Sequence, residues 1–427
     1  MKNYNNIHPA PLSCGRPAVE GGVHPWFFIS VIVILLLLNS CSNAQQKNYQ
    51  DQNEDSETKI VVGAERTELY FPLLKDKWIA IVANQTSLTG NDHLVDSLVY
   101  AGFNVVKVFS PEHGFRGSAG AGEEVSNNVD AKTGIPVISL YGKKKKPSPE
   151  DLSDVDIVIF DIQDVGARFY TYISTMTYVM EACAENNVEF IILDRPNPNG
   201  DYVDGPVLEK KFKTFVGLHP VPIVHGMTVG EYAQMVNGEG WLKDGIKCKL
   251  IVVPVENYDH KTQYDLPIPP SPNLPNNTAI QLYPSLCFFE GTIISVGRGT
   301  EFPFQVIGHP DFMIGSFVFE PKEIPGVAKN PKYEGQKCYG QSLQGFAENV
   351  LMESRQLRLS WLISMHEFFK DRNDFFTPYF EKLSGTEKLR KQIIEGKSEE
   401  EIRKSWEKDL TEFKNIRKKY LLYEDFE

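Results

Sequence analysis

Short apolar segments alternate with helical patterns between residues 78 and 193, and this alternation limits the folds that the chain can adopt. The pattern predicts strands over 78–83, 105–109, 137–141, 156–160 and 190–193, with helices over 93–101 and 171–186 among the connections. The strands are short, continuous and rich in Val and Ile, which is typical of a parallel sheet covered by helices on both faces. The sequence therefore predicts an α/β fold built on a Rossmann-like, doubly wound parallel sheet.

Pro, Gly and Asn become frequent in two later segments, 196–206 and 267–275. This composition predicts long ordered loops. The composition of a flexible Gly/Ser-rich linker is missing, so we expect the second part of the chain to pack on the first. We place the boundary near Pro275, with one domain over 61–275 and a smaller one over 276–427.

The N-terminal region predicts the cellular compartment. Residues 26–38 are apolar except for one serine, and this run is too short to span a membrane as a stable helix, as in the central part of a signal peptide. It ends in Leu38-Asn39-Ser40-Cys41, which resembles the lipobox of bacterial lipoproteins. We therefore predict a signal peptide over 1–40, a lipid anchor at Cys41 and a flexible tether over 41–60, rich in polar residues. The protein would be a membrane-anchored lipoprotein of the cell envelope that faces the periplasm. A plain secretory signal or a membrane-tethering helix is the alternative.

Composition and motifs argue against several classes of ligand. The formal net charge is -12, so a broad basic surface for nucleic acid is absent. The cysteines after the tether, Cys183, Cys248, Cys287 and Cys338, form no C-x-x-C pair and have no His at ligand spacing. The first predicted strand is not followed by G-x-G-x-x-G, which disfavours a nicotinamide cofactor. We predict no metal, no cofactor and no nucleic-acid partner.

Polar residues follow four of the predicted strands. Ligands bind beyond the carboxyl ends of the strands in open parallel sheets, so these residues are candidates for a binding site. They are Asn84 and Gln85 after the first strand, Glu112, His113 and Arg116 after the second, Asp161, Asp164 and Arg168 after the fourth, and Asp194, Arg195 and Asn197 after the fifth.

Carboxyl groups among these residues suit glycoside hydrolysis. This reaction generally needs a protonated carboxyl group beside the leaving oxygen and a second group that acts on the anomeric carbon or on water. Glu112, which follows an apolar strand, is the candidate acid, and Asp161 or Asp164 is the candidate second group. The alternatives are a helix cap for Asp161 and an ion pair with Arg168 for Asp164.

Several further residues carry side chains that suit a sugar substrate. Tyr170 and Tyr172 could form an aromatic wall for a sugar face, although packing in the core is the alternative. His113 and His225 are candidate acid–base or sugar-binding groups, or hydrogen-bond partners within loops. Asn273 lies in a stiff Pro-rich loop that would present its amide.

Three arginines, Arg116, Arg168 and Arg298, are candidates to bind a substrate carboxylate through paired N–H donors. Each could equally form a structural ion pair.

Taken together, these segments resemble the exo-β-N-acetylmuramidase family. The motifs that carry the resemblance are Val82-Ala-Asn-Gln-Thr, Phe109-Ser-Pro-Glu-His-Gly-Phe-Arg-Gly, Asp161-Ile-Gln-Asp-Val-Gly-Ala-Arg-Phe-Tyr-Thr-Tyr, Leu193-Asp-Arg-Pro-Asn-Pro, His225-Gly-Met-Thr, Pro270-Ser-Pro-Asn and Gly297-Arg-Gly-Thr. They recur in order from about Gly63 to the C-terminus.

The resemblance implies a Rossmann-like catalytic domain and a smaller α+β C-terminal domain that completes the active-site cleft. It implies an exo-acting hydrolase that removes terminal β-linked N-acetylmuramic acid from the non-reducing ends of peptidoglycan fragments, without a cofactor. The proposed catalytic glutamate of the family falls on Glu112 in Pro-Glu-His-Gly. Asp161 or Asp164 would act as nucleophile or orient the 2-acetamido group of the substrate, and the lactyl carboxylate would give the arginines a purpose.

Two other functions stay open on the sequence alone. An envelope esterase or amidase is one, although no Gly-x-Ser-x-Gly motif follows any predicted strand. A glycan-binding lipoprotein without catalytic activity is the other.

Overall fold

A seven-stranded sheet forms the centre of the structure, which is a computed structural model describing residues 59–117, 127–347, 349 and 354–427. The strands of the chain are β1 Trp78–Ala83, β2 Leu88–Thr89, β3 Asp92–His93, β4 Asn104–Ser110, β5 Asn128–Val129, β6 Pro136–Ser139, β7 Ile157–Asp161, β8 Glu189–Leu193, β9 Lys249–Val253, β10 Val306–His309, β11 Phe317–Phe319 and β12 Cys338–Ser342.

The helices differ in length between the two parts of the chain. They are α1 Thr67–Leu74, α2 Leu94–Tyr100, α3 Pro149–Leu152, α4 Tyr172–Glu185, α5 Val229–Gly238, α6 Asn277–Leu286, α7 Gln344–Phe346, α8 Ser360–Phe368, α9 Phe380–Ser384, α10 Lys388–Ile394, α11 Glu399–Lys404 and α12 Glu407–Arg417.

The central sheet has the order β5-β6-β4-β1-β7-β8-β9, and all its neighbouring strands are parallel except β5 and β6. Counted along the chain, its parallel strands follow the order 3-2-1-4-5-6 of a doubly wound sheet. This confirms the predicted α/β fold.

Both faces of the sheet are buried, which explains why its strands are apolar throughout. Ile79 and Ile81 of β1 pack in one core with residues of α1 and α2. Ala80 and Val82, which point to the opposite face, pack in a second core with residues of α4 and α5. The side chains of α4 and α5 therefore cover one face, and those of α1 and α2 cover the other.

The C-terminal region contains a small antiparallel sheet, β10-β12-β11, and the short helices from α8 onward. Leu282 of α6 and Phe380 of α9 belong to the same core cluster as Phe160 of β7. The chain from Ile60 to Glu427 is one compact unit, so both parts share a continuous core.

The predicted signal peptide, the Cys41 anchor and nearly all of the predicted tether lie outside the described residues. Within the described part of the chain, no helix is both long and apolar enough to cross a membrane.

A buried guanidinium ties distant segments together. Arg168 donates from Nη1 to the carbonyl oxygens of Pro206 and Val221, both at 2.8 Å. From Nη2 it donates to those of Leu383 and Ser384, at 2.9 and 2.8 Å. Burial lowers the pKa of Arg168 to about 9, since only carbonyl dipoles receive its charge. Arg168 thus joins the loops before α5 to the end of α9.

We expect Arg168→Lys to lower the free energy of unfolding by about 3 kcal/mol, because a lysine cannot reach four carbonyl oxygens with its single ammonium group. Urea unfolding followed by fluorescence measures the change. The control is Arg372→Lys, since the Arg372 side chain is 38% exposed, and its effect should stay within about 0.5 kcal/mol. Equal unfolding midpoints for the two variants would contradict this role of Arg168.

Candidate active site

The direction of winding reverses at β1, because the chain proceeds from β1 to β4 on one side and later to β7 on the other. In sheets of this kind the crevice at the carboxyl end of this reversal binds ligands. The loops there are joined to each other: Gln163 N donates to Thr86 Oγ1 at 3.0 Å, and the Ser87 hydroxyl donates to the Asp161 carbonyl oxygen. The loops after β1 and β7 are thus held in fixed positions.

A pocket opens beside this crevice and brings six of the candidate residues together, namely Glu112, His113, Tyr170, Tyr172, Asn273 and Arg298. The rest of its wall consists of Phe169, Thr171, Ser271, Leu274, Tyr283 and Phe304. The loop after β4, the start of α4, the Pro-rich loop, α6 and the segment before β10 each contribute to this wall.

Glu112 is half-buried in this pocket beside the N-terminus of α4. Thr171, the N-cap residue of this helix, makes no capping bond with its side chain and instead donates from Oγ1 to Glu112 Oε2 at 3.2 Å. The Tyr141 hydroxyl is also hydrogen-bonded to Glu112, and burial together with this carboxylate raises the pKa of Tyr141. Hydroxyl donors and the helix dipole therefore surround the Glu112 carboxylate.

His113 holds the Pro-rich loop against the pocket. Its φ of 72° lies in the left-handed region, which is unusual for a residue with a side chain. Its Nε2 is 3.1 Å from Ser271 Oγ, which in turn accepts a hydrogen bond from Asn273 N at 3.2 Å. The hydroxyls of Tyr170 and Tyr172 both donate to the Pro270 carbonyl oxygen, at 2.9 and 3.2 Å. The Pro-rich loop is therefore fixed over the two tyrosines.

Asn273 presents a polar atom that has no partner in the described structure. Its Nδ2 donates to the Val327 carbonyl oxygen at 2.8 Å, but its Oδ1 is buried without a hydrogen bond. A buried acceptor of this kind is costly unless a ligand or water satisfies it. Because Asn273 lines the pocket, a ligand N–H or O–H group is a suitable donor.

Arg298 approaches the pocket from the C-terminal side of the chain. Its Nε donates to Glu290 Oε1 at 2.6 Å, and its guanidinium lies over the Phe304 ring at 4.9 Å from the centroid. About a quarter of the side chain stays exposed, at 28%. Gly297 and Gly299 on either side have positive φ values, and a Cβ on either would collide with neighbouring atoms. The turn thus keeps Arg298 beside the pocket.

Comparisons with known proteins agree with this architecture. The family model of the exo-β-N-acetylmuramidase NamZ N-terminal domain matches residues 79–278, and that of the C-terminal domain matches 281–423. The chain belongs to this exo-β-N-acetylmuramidase family. The peptidoglycan β-N-acetylmuramidase NamZ of Bacillus subtilis (strain 168) is 41% identical over 374 residues, which cover 83% of this chain and 89% of that protein.

Solved structures show the same fold. One DUF1343 family protein of Bacteroides fragilis NCTC 9343 has a TM-score of 0.80 and 50% identity, and covers 86% of this chain and 100% of its own. A second from the same strain has a TM-score of 0.71 and 32% identity, and covers 86% of this chain and 99% of its own.

The structure places Asp161 in a buried ion pair rather than at the pocket of this family member. Both carboxylate oxygens accept hydrogen bonds from Arg195, at 2.6 and 3.0 Å, and neither side chain is more than 4% exposed. Arg195 also donates to the Leu88 carbonyl oxygen at 2.7 Å. Asp161 and Arg195 therefore connect strand ends and do not face a substrate. The alternative of a helix cap for Asp161 is not realised either.

Other candidates are likewise occupied by structural contacts. Asp194 is fully buried and accepts hydrogen bonds from Thr228 Oγ1 at 2.7 Å and from the Tyr423 hydroxyl at 2.6 Å. Asn197 donates to the Met227 carbonyl oxygen at 2.9 Å. His225 is 1% exposed. These residues support the carboxyl edge of the sheet from below the surface.

Arg168 and His225 are not available to a substrate carboxylate or sugar in this structure. Arg168 spends its donors on four carbonyl groups, as described above, so it forms no ion pair with Asp164. Burial lowers the pKa of His225 to about 3, and it is therefore neutral and enclosed at neutral pH. Sequence reasoning could not separate them from true pocket residues, because their partners lie far away in the chain.

Arg116, Asn84 and Gln85 lie near the site but do not line the pocket. Arg116 binds Asp96 and Asp130, each at 2.9 Å, and so forms the ion pairs that were its structural alternative. Asn84 Oδ1 accepts hydrogen bonds from the backbone and side chain of Thr86, which shape the turn after β1. Gln85 donates to carbonyl oxygens of the Pro-rich loop.

Asp164 is buried without a positively charged partner. Its Oδ2 accepts a hydrogen bond from Gly166 N at 2.8 Å, whereas its Oδ1 has no partner in the described structure. Burial raises its pKa to about 7. It does not line the pocket, but its charge acts on Tyr170 and Tyr172, which do.

Sequence reasoning missed three residues of the site. Thr171 and Ser271 lie inside motifs that were recognised, between Tyr170 and Tyr172 and just before Asn273. Tyr141 ends a predicted strand, so the rule that ligands meet strand ends could have found it.

We predict that Asp164→Asn raises stability more at pH 8 than at pH 5. The native pKa of about 7 lies above the ordinary value of 3.8, so the native state binds the proton more tightly than the unfolded state. This stabilisation is complete below about pH 4 and is lost as the pH rises through 7. Asparagine keeps the Gly166 bond and carries no charge. Urea midpoints at both pH values measure the difference, with the exposed Asp409→Asn as control. An equal shift at pH 5 and pH 8 would contradict the prediction.

Proposed function

We propose that this chain hydrolyses the bond joining a terminal β-linked N-acetylmuramic acid to the rest of a peptidoglycan fragment, acting from the non-reducing end with Glu112 as general acid. The observation that carries the proposal is the position of Glu112. In a chain of the muramidase family, this carboxyl group lies in a pocket at the carboxyl edge of the sheet, with hydroxyl donors around it.

The chemistry begins with proton transfer from the Glu112 carboxyl group to the glycosidic oxygen while the bond from the anomeric carbon breaks. The leaving saccharide departs as an alcohol, and Glu112 is left as a carboxylate. Thr171 and Tyr141 then stabilise this carboxylate by hydrogen bonds. The same carboxylate can take a proton from the water that completes hydrolysis.

The second group is best supplied by the substrate itself. Of the described residues that line the pocket, Glu112 is the one with a carboxylate, because Asp161 is held by Arg195 and Asp164 lies outside the wall. The 2-acetamido oxygen of the sugar is then the nucleophile that attacks the anomeric carbon. The unpartnered Asn273 Oδ1 is suited to accept the acetamido N–H, and Arg298 is suited to bind the lactyl carboxylate.

We expect Glu112→Gln to lower kcat/KM by about 100-fold to 10,000-fold, the range of general acid catalysis. The assay compares a 4-nitrophenyl β-N-acetylmuramide with the disaccharide in which the same sugar is linked to N-acetylglucosamine. The loss should be larger for the disaccharide, because nitrophenolate leaves without protonation. The matched control is Glu412→Gln, an exposed carboxylate on α12.

Two outcomes would count against this proposal. Full activity of Glu112→Gln on the disaccharide would remove Glu112 from the mechanism. Equal cleavage of the corresponding N-acetylglucosaminide by the unmodified protein would remove the muramic acid specificity.

We further propose that Cys41 carries a lipid and holds the enzyme on the membrane, facing the periplasm. The apolar run over 26–38 and the Leu38-Asn39-Ser40-Cys41 sequence support this proposal. Acyl chains would bring the pocket to the layer in which wall fragments arise.

In a bacterial host fed an alkyne-tagged fatty acid, we expect the unmodified protein to be labelled and to sediment with membranes. Cys41→Ser should lose the label and stay as the uncleaved precursor. Cys248→Ser, at a buried cysteine, is the control and should keep the label. Labelling of Cys41→Ser would contradict the anchor.

A further inference from the structure

A second cavity lies in the C-terminal region, outside the candidate active site. We call it the C-terminal cavity, and its walls include His366, Lys370, Arg372, Phe376, Thr377 and Arg390. Its empty volume is about 820 Å³, against about 420 Å³ for the active-site pocket. It therefore has room for part of a glycan chain.

The two cavities lie against the same short 3-10 helix, Cys287–Gly291. Glu290 of this helix binds Arg298 of the active-site pocket at 2.6 Å. Gly291, the next residue, accepts a hydrogen bond from the backbone of Thr377 in the wall of the C-terminal cavity at 2.9 Å. A fragment whose terminal sugar fills the active-site pocket thus has the C-terminal cavity close to its remaining sugars.

Positive charge predominates on the wall of this cavity, although the whole chain has a formal net charge of -12. Lys370, Arg372 and Arg390 contribute cations, and Glu381 contributes a carboxylate. Such a wall favours an anionic ligand.

The ion pairs that these cations form are easily exchanged. Lys370 binds Glu367 at 2.7 Å and Arg372 binds Asp374 at 2.9 Å, and the side chains of both pairs are between 38% and 67% exposed. Neither acidic partner lines the cavity. Because exposed pairs of this kind contribute little, both cations can turn to a ligand carboxylate with a small loss.

An aromatic surface accompanies the charges. The His366 ring stacks on Phe376 with centroids 5.4 Å apart and an interplanar angle of 27°. Flat surfaces of this kind suit the apolar face of a sugar ring. A ligand that combines a sugar ring with a carboxylate fits both features of the wall.

We infer that the C-terminal cavity binds a second, carboxylate-bearing muramic acid unit of the same fragment, downstream of the bond that is cleaved. This inference rests on the proposed function, because it assigns the rest of the substrate to a place on the protein. The cavity would increase affinity for longer fragments and take no part in the chemical step.

The test compares a 4-nitrophenyl β-N-acetylmuramide with a peptide-free tetrasaccharide of alternating muramic acid and N-acetylglucosamine. The variant is Lys370→Gln/Arg372→Gln, and the control is Lys408→Gln/Lys418→Gln, at lysines that are 87% and 56% exposed. We expect the ratio of kcat/KM for the tetrasaccharide to kcat/KM for the nitrophenyl substrate to fall about fivefold in the variant, through KM, and not in the control.

A ratio that stays the same in variant and unmodified protein would overturn the inference. A second measurement separates it from the proposed function. The tetrasaccharide is titrated into Glu112→Gln protein with and without the two cavity substitutions. If the unmodified protein cleaves no muramide, the proposed function fails, and the binding data still decide on the cavity. A Kd that rises about fivefold supports the inference, and an unchanged Kd overturns it.

Discussion

The ion pair between Asp161 and Arg195 is the contact on which the site depends. It joins the ends of β7 and β8, and through Leu88 it also holds the loop after β1. Both charges are buried, and loss of one partner would leave the other uncompensated at a cost of about 3–5 kcal/mol. Because β1 and β7 are neighbours where the winding reverses, this pair fixes the floor beside which Glu112 and the Pro-rich loop assemble.

Polar groups at this edge fall into two layers that differ in how completely they are satisfied. In the inner layer, Asp194 accepts bonds from Thr228 and Tyr423, and Arg168 donates to four carbonyl groups. In the outer layer, Asn273 retains a buried acceptor without a partner, and Glu112 is only half-buried. The inner groups give rigidity, whereas the outer ones have bonding capacity for a substrate. This difference separates supporting residues from binding ones better than residue type does.

The sequence predicted the sheet well because burial on both faces makes its strands continuous apolar runs, and β1 was placed to the residue. It also predicted the edge that carries the site, because strand ends are readable from the same runs. It could not predict which polar residues face the pocket. Arg168 and Arg298 look alike in sequence, yet the partners of Arg168 at Leu383 and Ser384 are more than 200 positions away. Only three-dimensional packing decides such long-range pairing.

The C-terminal region supplies part of the site and not merely a support for it. Tyr283, Arg298 and Phe304 of the pocket wall all follow residue 281, where the C-terminal family model begins. The 3-10 helix that holds Arg298 through Glu290 also holds Thr377 through Gly291. A shift of this helix would therefore change both cavities together. Enclosure of Glu112 by residues from both parts of the chain favours a sugar at a chain end, since an internal sugar must extend from the pocket on two sides.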